Sequence, residues 1–157
     1  MIRSITQGSE IPKFDLECTK ITRCRNIDFK NQWTVLFLYP KDNTSGCTKE
    51  AQEFNDLNKK FNSYNVKIFG LSKDSLSSHE KFSSKLSLKF PLISDPETEL
   101  IQKLSCWVEK SMYGRKYMGV ERTTFLINLD CEIFYIWRKV KVKNHAEEVL
   151  NKVMEVC

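Results

Sequence analysis

Apolar positions along this chain follow two rhythms. The run "WTVLFLYP" is almost continuously apolar, rich in Val, Leu and aromatics, and stops at Pro40, as a buried central strand does. The polar "KDNTSG" after it reads as a loop. From about Cys47 to Tyr64 the pattern changes: Ala51, Phe54, Leu57 and Phe61 recur at three- and four-residue steps, which predicts a helix with one buried face. "VKIFGLS" predicts a second buried strand, and "KDSLSSHEKFSSKL" a second helix with Leu76, Phe82 and Leu86 pointing inward, followed by the short apolar "FPLISD". "DPETELIQKL" offers an Asp, a first-turn Pro and early Glu residues, so a third helix is expected after Pro96. "TTFLINLDCEIFYIWRKVKV" contains two β-rich runs separated by Asn128 to Asp130, a hairpin. The closing "HAEEVLNKVMEVC" places Ala146, Val149, Leu150, Val153 and Met154 on one helical face.

Strand, helix, strand, helix, then hairpin and helix is an α/β plan: a central mixed β-sheet flanked by helices on both faces. The 157 residues suffice for one domain with a substantial core, and no repeat, linker or low-complexity segment divides 1–157. The apolar stretch around Val35 to Tyr39 is far too short for a membrane span, and "MIRSITQGSEIPKF" has no apolar signal-peptide core, so a cytoplasmic protein without membrane contact is expected. The net charge of +5 comes from lysines spread among nearly as many carboxylates. That is the pattern of a solvated surface, and nucleic acid is not expected as a partner.

Six cysteines are too few for a disulfide scaffold, no CxxC occurs, and two histidines leave none of the familiar zinc spacings, so no metal is expected. Each cysteine has to be judged alone. Cys47 follows the exit of a buried strand, where sites of α/β sheets form. If a helix starts near Gly46 or Cys47, its unpaired N–H groups and positive dipole end favour thiolate over thiol. The bland alternative is a buried, inert cysteine behind a Thr44 helix cap, because free cysteine is among the most buried residue types.

"FLYPKDNTSGCTKEAQEF" resembles the active-site segment of peroxiredoxins, in which a proline, a threonine four residues later and a cysteine three beyond that form the peroxide-reducing site. "WVEKSMYGRKYMGVERTTFLIN", "WRKVKVKNHAEEVL" and "GSEIPKFDL" extend the resemblance, in order and over nearly the whole chain, to the bacterioferritin comigratory protein branch, also called peroxiredoxin Q. The resemblance implies a single thioredoxin-like domain and a thiol-dependent peroxidase that reduces hydrogen peroxide and organic hydroperoxides. By position it makes Cys47 the peroxidatic nucleophile, Thr44 its hydroxyl partner, Pro40 the shield of the pocket and Arg122 the guanidinium from a later strand. Lowering a thiol pKa from about 8.5 to about 6 raises the thiolate fraction at pH 7 only about thirtyfold, and lower basicity weakens the nucleophile. Donors placed on the breaking O–O bond must therefore contribute as well: Arg122 and the N–H groups of Gly46 and Cys47. Glu50, one turn beyond Cys47, either pairs with Arg122 or only complements the helix dipole; Arg122 itself has Glu121 as an alternative partner.

Two positions depart from the family. Ser45 stands where many relatives carry proline, and can still cap the helix. Gln52 stands where many carry a resolving cysteine, and the next helix has Ser83 and Ser84 instead of a thiol. Of the remaining cysteines, Cys18 and Cys131 fall in alternating strands and read as packing. Cys24, in "TRCRN", reads as exposed with Arg23 and Arg25 favouring its thiolate, Cys106 lies in an irregular region, and Cys157 is terminal. Cys24 and Cys106 are thus the possible unconventional resolving residues. The favoured expectation is a one-cysteine cycle in which glutathione, glutaredoxin or thioredoxin reduces the sulfenic acid, with no cofactor, in a monomer or weak dimer. A redox sensor oxidised stoichiometrically at Cys47 is the alternative.

Overall fold

The structure, a computed structural model, describes residues 5–157; the first four residues of the opening segment considered as a leader lie outside them. The strands, in chain order, are β1 (Asp15–Cys18), β2 (Thr22–Arg25), β3 (Trp33–Leu38), β4 (Val66–Ser72), β5 (Leu92–Ser94), β6 (Trp107–Met112), β7 (Arg115–Val120), β8 (Thr123–Ile127) and β9 (Ile133–Trp137). The helices are α1 (Ser45–Ser63), α2 (Leu76–Leu86), α3 (Glu99–Lys103) and α4 (His145–Val156), with a short 3₁₀ turn at Asn26–Phe29.

Seven strands make one mixed sheet in the order β2-β1-β5-β4-β3-β8-β9. The middle three run parallel, and antiparallel pairs close both edges. Because side chains alternate across a strand, β3 sends Val35, Phe37 and then Tyr39 to one face and Leu36 and Leu38 to the other, all buried. The first face is covered by α1, α2 and α4, the second by α3 and the 3₁₀ turn. Gly70 sits where the first face is tightest. A Cβ there would come within 2.7 Å of the Leu92 side chain and 3.1 Å of Phe37. This is the expected α/β fold with helices on both faces.

Several boundaries shift for local reasons. The third helix begins at Glu99, not directly after Pro96, because the Asp95 carboxylate takes the first-turn N–H groups of Glu99 (3.1 Å) and Ile101 (2.8 Å) while Pro96 occupies the preceding turn. Met154 is 43% exposed, since the buried stripe of α4 is Ala146, Val149, Leu150 and Val153 and residue 154 falls on its rim. Cys131 lies in the β8–β9 turn with φ 62°, not in a strand.

Two hairpins have little hydrophobic alternation to announce them. β1–β2 is short and polar on one side, and β6–β7 is a separate two-stranded sheet with much of its surface in solvent. The turn of the second is Tyr113-Gly114, with φ 52° and 76°. Positive φ at both central residues is the hairpin geometry that glycine permits. No helix among the described residues is long and apolar enough to cross a membrane.

Candidate active site

The chain leaves the sheet after Leu38, Tyr39 keeps a last backbone bond to Leu71 (3.1 Å), and residues 40–44 form the loop that leads into α1. Thr44 is the N-cap by backbone conformation (φ −86°, ψ 158°), yet its hydroxyl donates to the Lys41 carbonyl at 3.2 Å instead of capping the helix. The first intrahelical bond runs from Thr48 N–H to the Thr44 carbonyl (2.8 Å). The N–H groups of Ser45, Gly46 and Cys47 precede that bond, in the part of a helix that has no intrahelical acceptors. The helix thus starts two residues before Cys47, and Ser45, expected as a cap, is its first residue. Cys47 is 1% exposed.

Arg122 reaches this thiol from the junction between β7 and β8. One guanidinium nitrogen, Nη2, donates to Cys47 Sγ at 3.3 Å, and the other, Nη1, donates to Glu50 Oε1 at 2.6 Å. Both readings left open for Glu50 and Arg122 resolve in this contact: Glu50 holds the guanidinium from α1, while Glu121 faces Arg138 at 3.7 Å. A Cβ at Gly46 would lie 3.4 Å from Nη2, in ordinary contact with it.

Burial pushes the Glu50 carboxyl up to about 7 even though the Arg122 charge and hydrogen bond pull it down; the charge of Glu53 adds to the rise. Its Oε2 is buried and has no hydrogen-bond partner among the described residues. Burial would lower the Arg122 guanidinium, but Glu50 and Cys47 hold it above its ordinary value.

Sequence reasoning passed over three further groups, and the charge of Arg122 acts on two of them. His145, buried at the start of α4, shares a 2.7 Å hydrogen bond with Thr124 Oγ1; burial, then the charge of Arg122, lowers its ring to about 4. Lys110, on the inner face of the β6–β7 hairpin, is lowered by burial and then by Arg122, while the Cys47 charge acts in the opposite sense. The stem of Lys110 crosses Gly119, where a Cβ would come within 3.2 Å of it. His79 on α2 is fully buried. The helical pattern contained the signal for it, since 79 lies midway between the inward positions Leu76 and Phe82.

Among the described residues, Asp42, Asp74 and His79 bring metal-binding atoms within 4.8 Å of one another. Their facing atoms are taken up by hydrogen bonds of 2.5 to 2.9 Å, so no set of donors is left free for an ion.

The expected exposure of Cys24 is corrected, while Cys106 lies, as expected, in an irregular segment. Cys24 is 0% exposed: it points into the apolar layer on the face away from α1, and burial pushes its thiol far above the ordinary range, with the charges of Cys18, Asp28 and Asp15 adding to the rise. Its strand is four places from β3, roughly 19 Å at the usual strand spacing. Cys106 is also fully buried on that face, beside the Thr123 hydroxyl, with its thiol pushed up to about 11. Arg122 and Thr123 are adjacent on one extended segment and point to opposite sides. Cys106 therefore has the sheet between it and Cys47. Cys18 is buried in the same layer, and Cys157 lies about 18 Å along α4 from His145. Gln52 is exposed on α1, Ser83 is buried on α2 and Ser84 exposed.

Residues 7–136 match the AhpC/TSA family. The chain is 39% identical over 150 residues to the putative peroxiredoxin bcp of Coxiella burnetii, covering 96% of this chain and 99% of the other. It is 38% identical over 153 residues to peroxiredoxin Bcp of Bacillus subtilis, covering 98% of each. Among solved structures, a cysteine-to-serine mutant of Xylella fastidiosa PrxQ superposes with a TM-score of 0.92 at 39% identity over 98% of both chains. A Xanthomonas campestris bacterioferritin comigratory protein, solved for insight into its alkyl peroxide reduction activity, superposes with a TM-score of 0.89 at 36% identity, over 96% of this chain and 98% of the other.

Proposed function

The chain belongs to the AhpC/TSA family and is a thiol-dependent peroxidase of the peroxiredoxin kind, and on that premise we propose that Cys47 is its peroxidatic nucleophile. The observation that carries this reading is the bridging guanidinium, 3.3 Å from Sγ and 2.6 Å from Glu50. Arg122 favours the thiolate and, on the same side, can hold the oxygen that gains charge as the O–O bond stretches. The unpaired N–H groups of Gly46 and Cys47 supply further donors, Thr44 orients the peroxide, and Pro40 limits water at the thiol.

The cycle balances with thiols alone. The Cys47 thiolate attacks one peroxide oxygen, an S–O bond forms as the O–O bond breaks, and the departing oxygen takes a proton to leave as water or an alcohol. Cys47 is now a sulfenic acid. An external thiol condenses with it and releases water, and a second thiol displaces Cys47 as thiolate, so two thiols supply the two electrons. The burial of Cys18, Cys24 and Cys106 across the sheet supports this one-cysteine route, with glutathione, glutaredoxin or thioredoxin as reductant and the cytoplasm as its setting. The substrates are hydrogen peroxide and organic hydroperoxides.

Intact-mass analysis after one equivalent of hydrogen peroxide, with Cys47→Ser beside the parent, tests the proposal. The expected product is one added oxygen, mapped to Cys47 and absent in the variant. Loss of two hydrogens with a mapped bridge would overturn the one-cysteine cycle, and equal peroxide consumption by Cys47→Ser would overturn the assignment. Turnover with added glutathione or thioredoxin distinguishes this enzyme from a sensor oxidised once.

A further inference from the structure

Five residues before Cys47, the chain buries a carboxylate that the chemistry above does not use. Asp42 is 5% exposed, in the loop between Pro40 and Thr44. Its Oδ1 accepts from the Tyr39 hydroxyl at 2.6 Å, and its Oδ2 accepts from the Ser78 hydroxyl at 2.8 Å and lies 2.7 Å from His79 Nδ1. Its backbone N–H donates to Asp74 Oδ2 at 2.9 Å, and the same oxygen accepts from the Ser72 hydroxyl. The next loop residue is also held from α2, where Lys85 Nζ donates to Asn43 Oδ1 at 2.8 Å. Asn43 itself has φ 64°, so the loop turns sharply between these two anchors.

The hydrogen-bond pattern assigns the protons. His79 Nε2 is 2.9 Å from the Ile93 carbonyl, which can only accept, so Nε2 carries a proton. Nδ1 faces a carboxylate oxygen at 2.7 Å, so a second proton lies in that contact. Burial by itself would raise the Asp42 carboxyl, but the hydrogen bond and charge of His79, with the Tyr39 and Ser78 hydroxyls, hold it below its ordinary range. The result is an ion pair enclosed in protein, with each carboxylate oxygen occupied.

Such a pair contributes little net stability over an apolar replacement of the same shape, because both charges lose their water. What it provides is direction: short, charge-assisted bonds that tolerate few alternative arrangements. Here they tie α2 and the middle of β5 to the loop that carries two of the residues around the thiol. We propose that Asp42 and His79 are positioning residues for peroxide reduction, setting Pro40 and Thr44 over Cys47. The proposal rests on the peroxidase reading above.

The experiment compares two reactions of the same sulfur. Oxidation by hydrogen peroxide needs the thiolate and the placed loop; alkylation by iodoacetamide needs the thiolate and access to the sulfur, but no placed donor. In Asp42→Ala and His79→Phe, the second-order rate with peroxide should fall at least about tenfold while alkylation of Cys47 stays within about threefold of the parent. Asp42→Asn should restore most of the lost rate, since its amide can donate to a neutral ring and accept from Tyr39. The double variant Asp42→Ala with His79→Phe should be no slower than the slower single variant. Tyr39→Phe, which removes one hydroxyl and keeps the core, should lose about threefold with peroxide only, and it carries the test should the larger changes unfold the chain. Equal losses in both reactions, unchanged peroxide rates, or Asp42→Asn as slow as Asp42→Ala would overturn the proposal. A parent protein that alkylates at Cys47 yet ignores peroxide would overturn the peroxidase reading first, and this one with it.

Discussion

On the helix-covered face of the sheet that carries α1 and α4, Cys47 stands at a helix start with a guanidinium 3.3 Å away; on the opposite face, Cys18, Cys24 and Cys106 stand among apolar side chains. Cys47 is as buried as they are, at 1% exposure against 0 to 2%. Burial therefore does not separate Cys47 from the other three. The difference is in the neighbours: a cation, unpaired N–H groups and a carboxylate that fixes the cation on one side, and on the other desolvation that pushes Cys18 and Cys106 to about 11 and Cys24 higher. Cys106 shows how local the effect is. An arginine lies near it too, but Arg138 Nη1 is 3.8 Å from its sulfur and also held by Glu121, and desolvation still dominates.

The contrast can be broken most strongly at Arg122. Arg122→Gln should lower the second-order rate of Cys47 with hydrogen peroxide by about a hundredfold or more, read by stopped-flow oxidation, because it removes a donor aimed at the developing charge. A loss under fivefold would mean that the helix start alone activates the thiol. Time-resolved alkylation with peptide mapping sharpens the same contrast without mutation. Cys47 should be labelled at least about a hundred times faster than Cys18, Cys24 or Cys106, and those three should react at ordinary rates only in denaturant. Substitution on the inert face should move stability and leave the reaction alone. Cys24→Ser buries a hydroxyl in an apolar layer, so urea unfolding should show a loss of about 1 to 3 kcal/mol with an unchanged peroxide rate.

The smallest expected effect is a slope with pH. The Glu50 carboxyl loses its proton near 4.5 in the unfolded chain and near 7 in the fold. Between those values the folded protein keeps a proton that the unfolded chain has released, so raising the pH across the window weakens the fold, and above about 7 the slope ends. His145, lowered from 6.5 to about 4, acts in the other direction: its contribution is complete above 6.5 and is lost as the pH falls toward 4. Melting temperatures of Glu50→Gln and the parent at pH 5 and pH 8 isolate the first group. The variant should gain more at pH 8 than at pH 5, and an equal gain at both would show that Arg122 keeps Glu50 ionised throughout.

Legibility in the sequence followed the strength of the local pattern. β3, β4 and α1 are long, apolar and periodic, and they appear where the pattern predicts. The β6–β7 hairpin has scattered apolar residues and a Tyr-Gly turn, and its strands pair mainly with each other, so periodicity had little to report. For the site, the spacing of Pro40, Thr44 and Cys47 is local and could be read directly, whereas Arg122 could be placed only through a resemblance. Cys24 was misjudged because two flanking arginines suggested an exposed segment, while alternation along β2 turns those arginines outward and the thiol inward. His79 and His145 had inward positions in their helical patterns, but a pattern shows burial and not the partner that makes burial tolerable.

By itself the sequence determined the α/β plan, the placement of Cys47 in the first turn of a helix, and the lack of a thiol at Gln52, Ser83 and Ser84. These depend on neighbours a few residues apart, whose geometry a single strand or helix imposes. Only the tertiary structure decided that one guanidinium joins Cys47 to Glu50 across 75 and 72 residues of chain, that the other buried thiols lie beyond the sheet, and that Asp42 meets His79. Those contacts arise from the order in which strands pair and the face to which each side chain alternates, and the environment of a charge or a thiol is set there.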